Sequence, residues 1–204
     1  MTSDRLPGQR ASDLSRATWL SVVSVVLGAG AATFALGFGL ASGSLSMIGF
    51  GLDAAIDASA SVVLIWRFRI EASDAHRGAR AEHIAERLVA AVLVISAMAL
   101  ALGAVRSLLL HDVPSASLAQ TGLLLLSIAA LPPLSIAKRR VALRLGSDAL
   151  RRDALLTAAA AVLAFVALAA GQLAPGLGLW WADAVGSLVI AAVLGREGLL
   201  VFTD

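Results

Sequence analysis

Residues 49–68 read GFGLDAAIDASASVVLIWRF, a strongly apolar stretch that carries two acidic residues, Asp53 and Asp57. About 20 apolar residues are enough to cross a bilayer as a helix, because each residue advances about 1.5 Å. The two carboxylates are four residues apart, so they differ by about 40° around such a helix and share one face. Counted from Arg67 at the polar end, Asp57 lies about 15 Å and Asp53 about 21 Å into the membrane.

The composition of the whole chain agrees with a membrane protein. Of 204 residues, 59% are hydrophobic and 15% are charged, whereas a soluble domain has roughly 25% charged residues. The absence of cysteine excludes disulfide frameworks, thiolate nucleophiles and cysteine-based metal sites. Three scattered histidines, His76, His83 and His111, leave little material for an imidazole metal cage.

Apolar stretches of this length recur along the chain and predict an all-α, polytopic protein of six transmembrane helices. They cover residues 18–38, 46–68, 84–110, 116–137, 141–171 and 179–199. Residues 1–16 are predicted to form an N-terminal tail, and residues 17–204 a single six-helix domain. Residues 138–140 are interpreted as the connection between the fourth and fifth helices, and Pro132-Pro133 as a kink or end of the fourth. An alternative for the first stretch is a signal peptide, but its length favours an uncleaved helix.

The basic residues indicate the orientation of these helices. Fifteen of the sixteen lie before the first helix, around the second and fourth connections, or near the end of the sixth, and only Arg106 lies opposite. By the positive-inside rule, both termini are predicted to be cytoplasmic. The positive net charge therefore reflects the membrane topology of the chain and does not indicate that the chain binds nucleic acid. The composition hints at a bacterial protein, which places this multi-pass chain in the cell (inner) membrane.

An ionisable residue inside a membrane helix costs on the order of 2.5–3.5 kcal/mol, so each one suggests a function. Asp53 and Asp57 repel each other at one turn's distance, which is destabilising without a cation or a proton. One interpretation is a pair of protonated or polar-paired acids at a helix contact. The pattern favours the other interpretation, a cation site, and the small residues around it, such as Ala54 and Ala58, permit close helix approach.

Asp153 is the third acidic candidate, and its depth depends on where the fifth helix begins. A start near Val141 places Asp153 about 18 Å inside, level with Asp57. A membrane boundary at Arg151 and Arg152 makes it interfacial. Both alternatives stay open from the sequence.

The other polar residues near the membrane ends are given structural roles. Asp148 is predicted to pair with Arg152 at the i+4 position, and Asp183 to cap the N-terminus of the last helix. We predict that the second connection carries three solvated side chains, those of His76, Glu82 and His83. We predict that two charged residues, Arg106 and Asp112, lie at the outer edge of the membrane.

Four segments of the chain resemble the cation diffusion facilitator family of zinc, manganese and iron efflux transporters. Residues 43–69, GSLSMIGFGLDAAIDASASVVLIWRFR, are similar to that family's second helix with its Asp-x-x-x-Asp half-site. Residues 75–109 are similar to the loop and third helix, including a glutamate at position 82. Residues 147–171 and 180–198 resemble the fifth and sixth helices.

The resemblance implies a mid-membrane metal site formed by Asp53, Asp57 and Asp153, and no enzymatic activity. Its cargo would be a divalent cation such as Zn²⁺, with Mn²⁺ and Fe²⁺ as alternatives, and no resident cofactor is implied. The implied partners are this cation, protons, the lipid bilayer and a second copy of the chain in a homodimer. Ala149 stands where the family has a fourth ligand, and the family's cytoplasmic domain does not follow the sixth helix before Asp204.

Metal binding requires deprotonated carboxylates, so the expected mechanism is cation/proton antiport by alternating access. Two other functions are weighed against it. A non-transporting membrane subunit is consistent with Ala149 in place of a ligand. A metal-dependent CDP-alcohol phosphotransferase-like enzyme is suggested by the spacing of Gly49, Asp53 and Asp57, but the charged residues that this signature needs upstream are missing.

Overall fold

The computed structural model describes residues 7–42, 45–73, 75–111, 118–177 and 181–203. These residues form six α-helices, and the predicted all-α class is confirmed. The helices are α1 (Pro7–Ser42), α2 (Leu45–Ser73), α3 (Ala75–Leu110), α4 (Leu118–Leu145), α5 (Asp148–Leu177) and α6 (Ala182–Thr203). The first helix begins ten residues before the predicted domain start, so most of the predicted tail is helical.

The helices pack in pairs around one apolar core. Helix α1 packs mainly on α2, α3 on α6, and α4 on α5. Gly28 of α1 lies against Ala54 and Ala58 of α2, where an added Cβ would stand 3.1 Å from the Ala58 Cβ. The close helix approach predicted from the small residues of α2 is therefore confirmed. Larger side chains such as Leu64 and Phe68 fill the centre of the bundle.

Four segments are long and apolar enough to cross a membrane, judged by length and composition over the described residues. They are Gln9–Phe38, Arg80–Leu110, Leu118–Leu145 and Ala184–Phe202. The outer surface carries large apolar side chains, among them Trp19, Leu102 and Leu118, which are 67%, 73% and 93% exposed. Several charged side chains are buried inside the bundle, among them Arg67, Lys138 and Asp153. Apolar side chains outside and charged ones inside fit a membrane protein.

The break between α4 and α5 falls at Gly146 and Ser147, so the predicted connection at residues 138–140 is wrong. Gly146 adopts a left-handed conformation with φ of 66°, and the Ser147 amide donates to the Ala142 carbonyl at 3.1 Å. This arrangement is a Schellman motif that ends α4. Ser147 then caps α5, because its Oγ accepts a hydrogen bond from the Leu150 amide at 3.2 Å. Helix α4 also continues through Pro132 and Pro133 instead of ending there.

Helix α6 approaches α3 most closely at Gly198. A Cβ added there would lie 2.9 Å from the Ala90 carbonyl oxygen and 2.8 Å from a Val94 methyl group. We expect Gly198→Ala to lower the free energy of unfolding by about 1–3 kcal/mol, because the two backbones must separate. The matched control is Gly103→Ala, which meets nothing within 4 Å and is expected to be neutral or to stabilise α3 by up to about 1 kcal/mol. Thermal unfolding in detergent compares the two variants, and equal stability would contradict the close contact.

Candidate functional site

A cavity of about 800 Å³ lies among α1, α2, α4 and α5. Its lining is mostly apolar, and on α4 it runs from Leu118, the first residue of the helix, to Lys138. These positions are about 30 Å apart along the helix axis. The cavity therefore reaches from one end of the bundle deep into its interior.

Helix α2 contributes a row of polar side chains to this cavity. Asp53, Asp57 and Ser61 follow one another at four-residue spacing, and all three line it. The predicted common face of the two carboxylates is therefore confirmed. Neither carboxylate forms a hydrogen bond or an ion pair with another residue that the structure describes. Asp57 is close enough to Asp53, Asp153 and Lys138 to interact with their charges.

A buried ion pair between Lys138 and Asp153 lies at the inner end of this row. The Lys138 Nζ is 2.5 Å from Asp153 Oδ2, and the two side chains are 0% and 1% exposed. Lys138 also donates to Thr157 Oγ1 at 3.0 Å and to Ser61 Oγ at 3.3 Å. The Ser61 hydroxyl donates to Asp153 Oδ1 at 3.0 Å. Residues from α2, α4 and α5 thus form one buried polar network.

Lys138 is a site residue that the sequence analysis missed. It was assigned to the connection between the fourth and fifth helices, but it lies seven residues before the end of α4 and faces the core. The missed signal is the pair Gly146-Ser147, a helix stop followed by an N-cap residue. With the boundary there, Lys138 stands two turns inside α4.

The helix start that the first alternative for Asp153 assumed is wrong. Helix α5 begins at Asp148 and not near Val141, so Asp153 lies only about 7.5 Å along the helix from its start. The carboxylate is nevertheless buried among the helices. Within the part of the chain that the structure describes, no three His, Cys, Asp or Glu side chains form a group arranged to hold a metal ion. The metal site of Asp53, Asp57 and Asp153 stays a prediction.

The polar end of the bundle, where Arg67 lies, is closed by a second network of charged side chains. Arg67 contacts Glu71 at 2.6 Å and also pairs with Glu82 of α3. Glu82 accepts hydrogen bonds from Ser147 Oγ at 2.9 Å and from the Ala149 amide at 3.1 Å. Glu82 was predicted to be solvated, and this prediction is wrong because its carboxylate caps α5. The backbone of Ala149, where a fourth ligand was expected, is part of this cap.

Arg152 extends this network to α6 instead of pairing with Asp148. Its guanidinium donates to the Glu197 carbonyl at 2.5 Å and lies 3.5 Å from Glu86 Oε1. Asp148 pairs with Arg151, three residues along the helix, at 3.2 Å. The predicted Asp148–Arg152 pair is therefore wrong. His83 and Arg106 are exposed, whereas Asp112 and the side chains of His76 and Asp183 lie outside the described residues.

Four ionisable side chains, here called the cavity cluster, lie at the cavity or directly beside it, and their charges do not cancel. Asp53, Asp57 and Asp153 contribute three negative charges when ionised and Lys138 one positive charge, which leaves a formal charge of −2. Two uncompensated negative charges in a largely apolar bundle require a cation, protons or both. One dication would balance this formal charge.

The chain matches no protein-family model and no curated protein.

Proposed function

We propose that this protein transports divalent metal cations across the membrane, out of the cytoplasm. The observation that carries the proposal is the cluster of Asp53, Asp57, Asp153 and Lys138, which has a formal charge of −2. Asp53, Asp57 and Lys138 line the cavity, and Asp153 is buried against Lys138. Ionisable residues deep in membrane proteins mark ion pathways, and carboxylates on two separate helices can share one ion. The resemblance to cation diffusion facilitators supports the same cargo, Zn²⁺, Mn²⁺ or Fe²⁺.

In this proposal all six helices span the bilayer, and both termini are cytoplasmic. The polar end of the bundle then faces the cytoplasm, in agreement with the basic residues there. We further propose that the transporter works as a homodimer in the inner membrane of a bacterium. The four apolar segments found by length and composition are compatible with this topology.

The two ends of the site suggest how access alternates. The cavity reaches the cluster from the first turn of α4, whereas ion pairs of Arg67 and Arg152 close the opposite end. For a cation to enter from the cytoplasm, these ion pairs would have to open and the cavity would have to narrow near the first turn of α4. Carboxylates bind metal only when deprotonated, so protons from outside displace the cation and return through the same site.

Transport by purified protein in liposomes tests the proposal. Vesicles that hold a metal-sensitive dye and a pH-sensitive dye report cation and proton movement together, for Zn²⁺, Mn²⁺ and Fe²⁺ in turn. We expect opposite cation and proton fluxes in the unmodified protein. We expect Asp53→Asn and Asp57→Asn each to reduce both fluxes by at least about tenfold, because each removes a ligand charge that the cation needs.

The control for these variants is Asp148→Asn, which removes an acidic side chain that is 58% exposed and pairs only with Arg151 among the described residues. This variant should transport like the unmodified protein. Undiminished fluxes in both Asp53→Asn and Asp57→Asn would contradict the proposal. If the unmodified protein binds no divalent cation in calorimetry, a non-transporting membrane subunit becomes the better interpretation.

A further inference from the structure

Lys138 is the only lysine of the chain, and its ammonium group is fully enclosed. An ammonium group has three hydrogens to donate. In this structure it has three oxygen partners, from Asp153 and Thr157 on α5 and from Ser61 on α2. One carboxylate and two hydroxyl oxygens around a single positive centre form the kind of oxygen cradle that also holds a metal cation.

We infer that Lys138 is a tethered cation that holds Asp153 in the cargo-free transporter and competes with the transported cation for it. This inference rests on the proposed function, and it makes Lys138 a specificity-determining residue of the same site. While Lys138 holds Asp153, a cation in the cavity has Asp53 and Asp57 as its carboxylate ligands. Binding to all three carboxylates requires the ammonium group to withdraw.

The surroundings of Lys138 allow this exchange. Its nitrogen is carried on a flexible four-carbon stem, and Lys138 and Asp57 both line the cavity. Asp57 already interacts with the Lys138 charge, so the ammonium group can move toward the cavity without losing all electrostatic support. The competition weakens cation binding and so favours release, which a transporter needs as much as uptake.

The inference predicts which changes alter the affinity of the site for divalent cations. Lys138→Met removes the competitor and leaves Asp153 free, so we expect Mn²⁺ and Zn²⁺ to bind at least about tenfold more tightly. Transport should slow, because release becomes harder. Lys138→Arg keeps the positive charge and should bind these ions within about threefold of the unmodified protein.

Isothermal titration of the full chain in lipid nanodiscs with MnCl₂ and ZnCl₂ measures these affinities. The matched control is Arg139→Met, which removes the adjacent positive charge on the exposed side of α4 and should leave the affinity unchanged. The double variant Lys138→Met/Asp153→Leu removes the pair without leaving a buried charge. It should bind at least about tenfold more weakly than Lys138→Met, because the third carboxylate is gone.

These outcomes separate the inference from the function on which it rests. If the unmodified protein binds neither ion, the proposed function fails and the inference fails with it. If the unmodified protein binds and Lys138→Met has the same affinity, only the inference is overturned, and the lysine has a purely structural role. Equal affinities of the unmodified protein, the single variant and the double variant overturn it in the same way. Lys138→Gln covers the case in which Lys138→Met alone does not fold, because it removes the charge but keeps a hydrogen-bond donor, and it should show the same gain in affinity.

Discussion

Replacing Asp153 by leucine is expected to destabilise the bundle by about 3–5 kcal/mol, because it leaves the Lys138 ammonium buried without its counter-charge. Lys138 has no exposed surface, and its remaining direct partners would be the hydroxyl groups of Ser61 and Thr157, with the Asp57 charge nearby but not hydrogen-bonded to it. Two neutral hydroxyls do not replace a carboxylate at 2.5 Å. Thermal unfolding and denaturant titration in detergent measure the loss.

The double variant Lys138→Met/Asp153→Leu is the control for this prediction. It removes both charges and keeps a similar apolar volume, so its stability should lie within about 2 kcal/mol of the unmodified protein. Thr157 keeps its hydrogen bond to the Asp153 backbone carbonyl at 3.0 Å in both variants, so α5 itself is not disturbed. If the double variant is as unstable as Asp153→Leu, the loss comes from packing and not from an uncompensated charge.

The helices themselves could be predicted from sequence because apolar length and composition determine them. Each apolar stretch lies largely within one helix, apart from residues 141–145, and the shared face of Asp53 and Asp57 follows directly from their spacing. The exact break between α4 and α5 could not be predicted from charge. A run of basic residues marks where a chain nears the membrane surface, but backbone capping at Gly146 and Ser147 decides where the helix ends.

This difference between where a chain nears the membrane surface and where its helix ends also explains why Lys138, the partner of Asp153, was not predicted. Lys138, Arg139 and Arg140 are consecutive and were interpreted together as the connection between two helices. On a helix, consecutive residues point about 100° apart, so one can face the core while its neighbours face outward. Lys138 is fully buried, whereas Arg139 and Arg140 are exposed. Only the packing of α4 against α5 and α1 determines which of the three is inside.

Arg67→Met is expected to lower the free energy of unfolding by about 3 kcal/mol, because it leaves two carboxylates without the cation between them. The Arg67 side chain is 4% exposed and pairs with both Glu71 and Glu82, so it joins the end of α2 to the start of α3. Through Glu82 it also supports the cap of α5 at Ser147. Unfolding of the purified protein in detergent, followed by circular dichroism, measures the effect.

Arg10→Met provides a matched comparison, because Arg10 contacts the same Glu71 carboxylate at 2.6 Å but its side chain is 58% exposed. An exposed ion pair contributes roughly 0–1 kcal/mol, since water and salt screen it. We therefore expect Arg10→Met to be much milder than Arg67→Met, and Arg67→Lys to fall between them because it keeps the charge but not the fork of donors. Equal losses in Arg10→Met and Arg67→Met would mean that burial does not strengthen the Arg67 pairs.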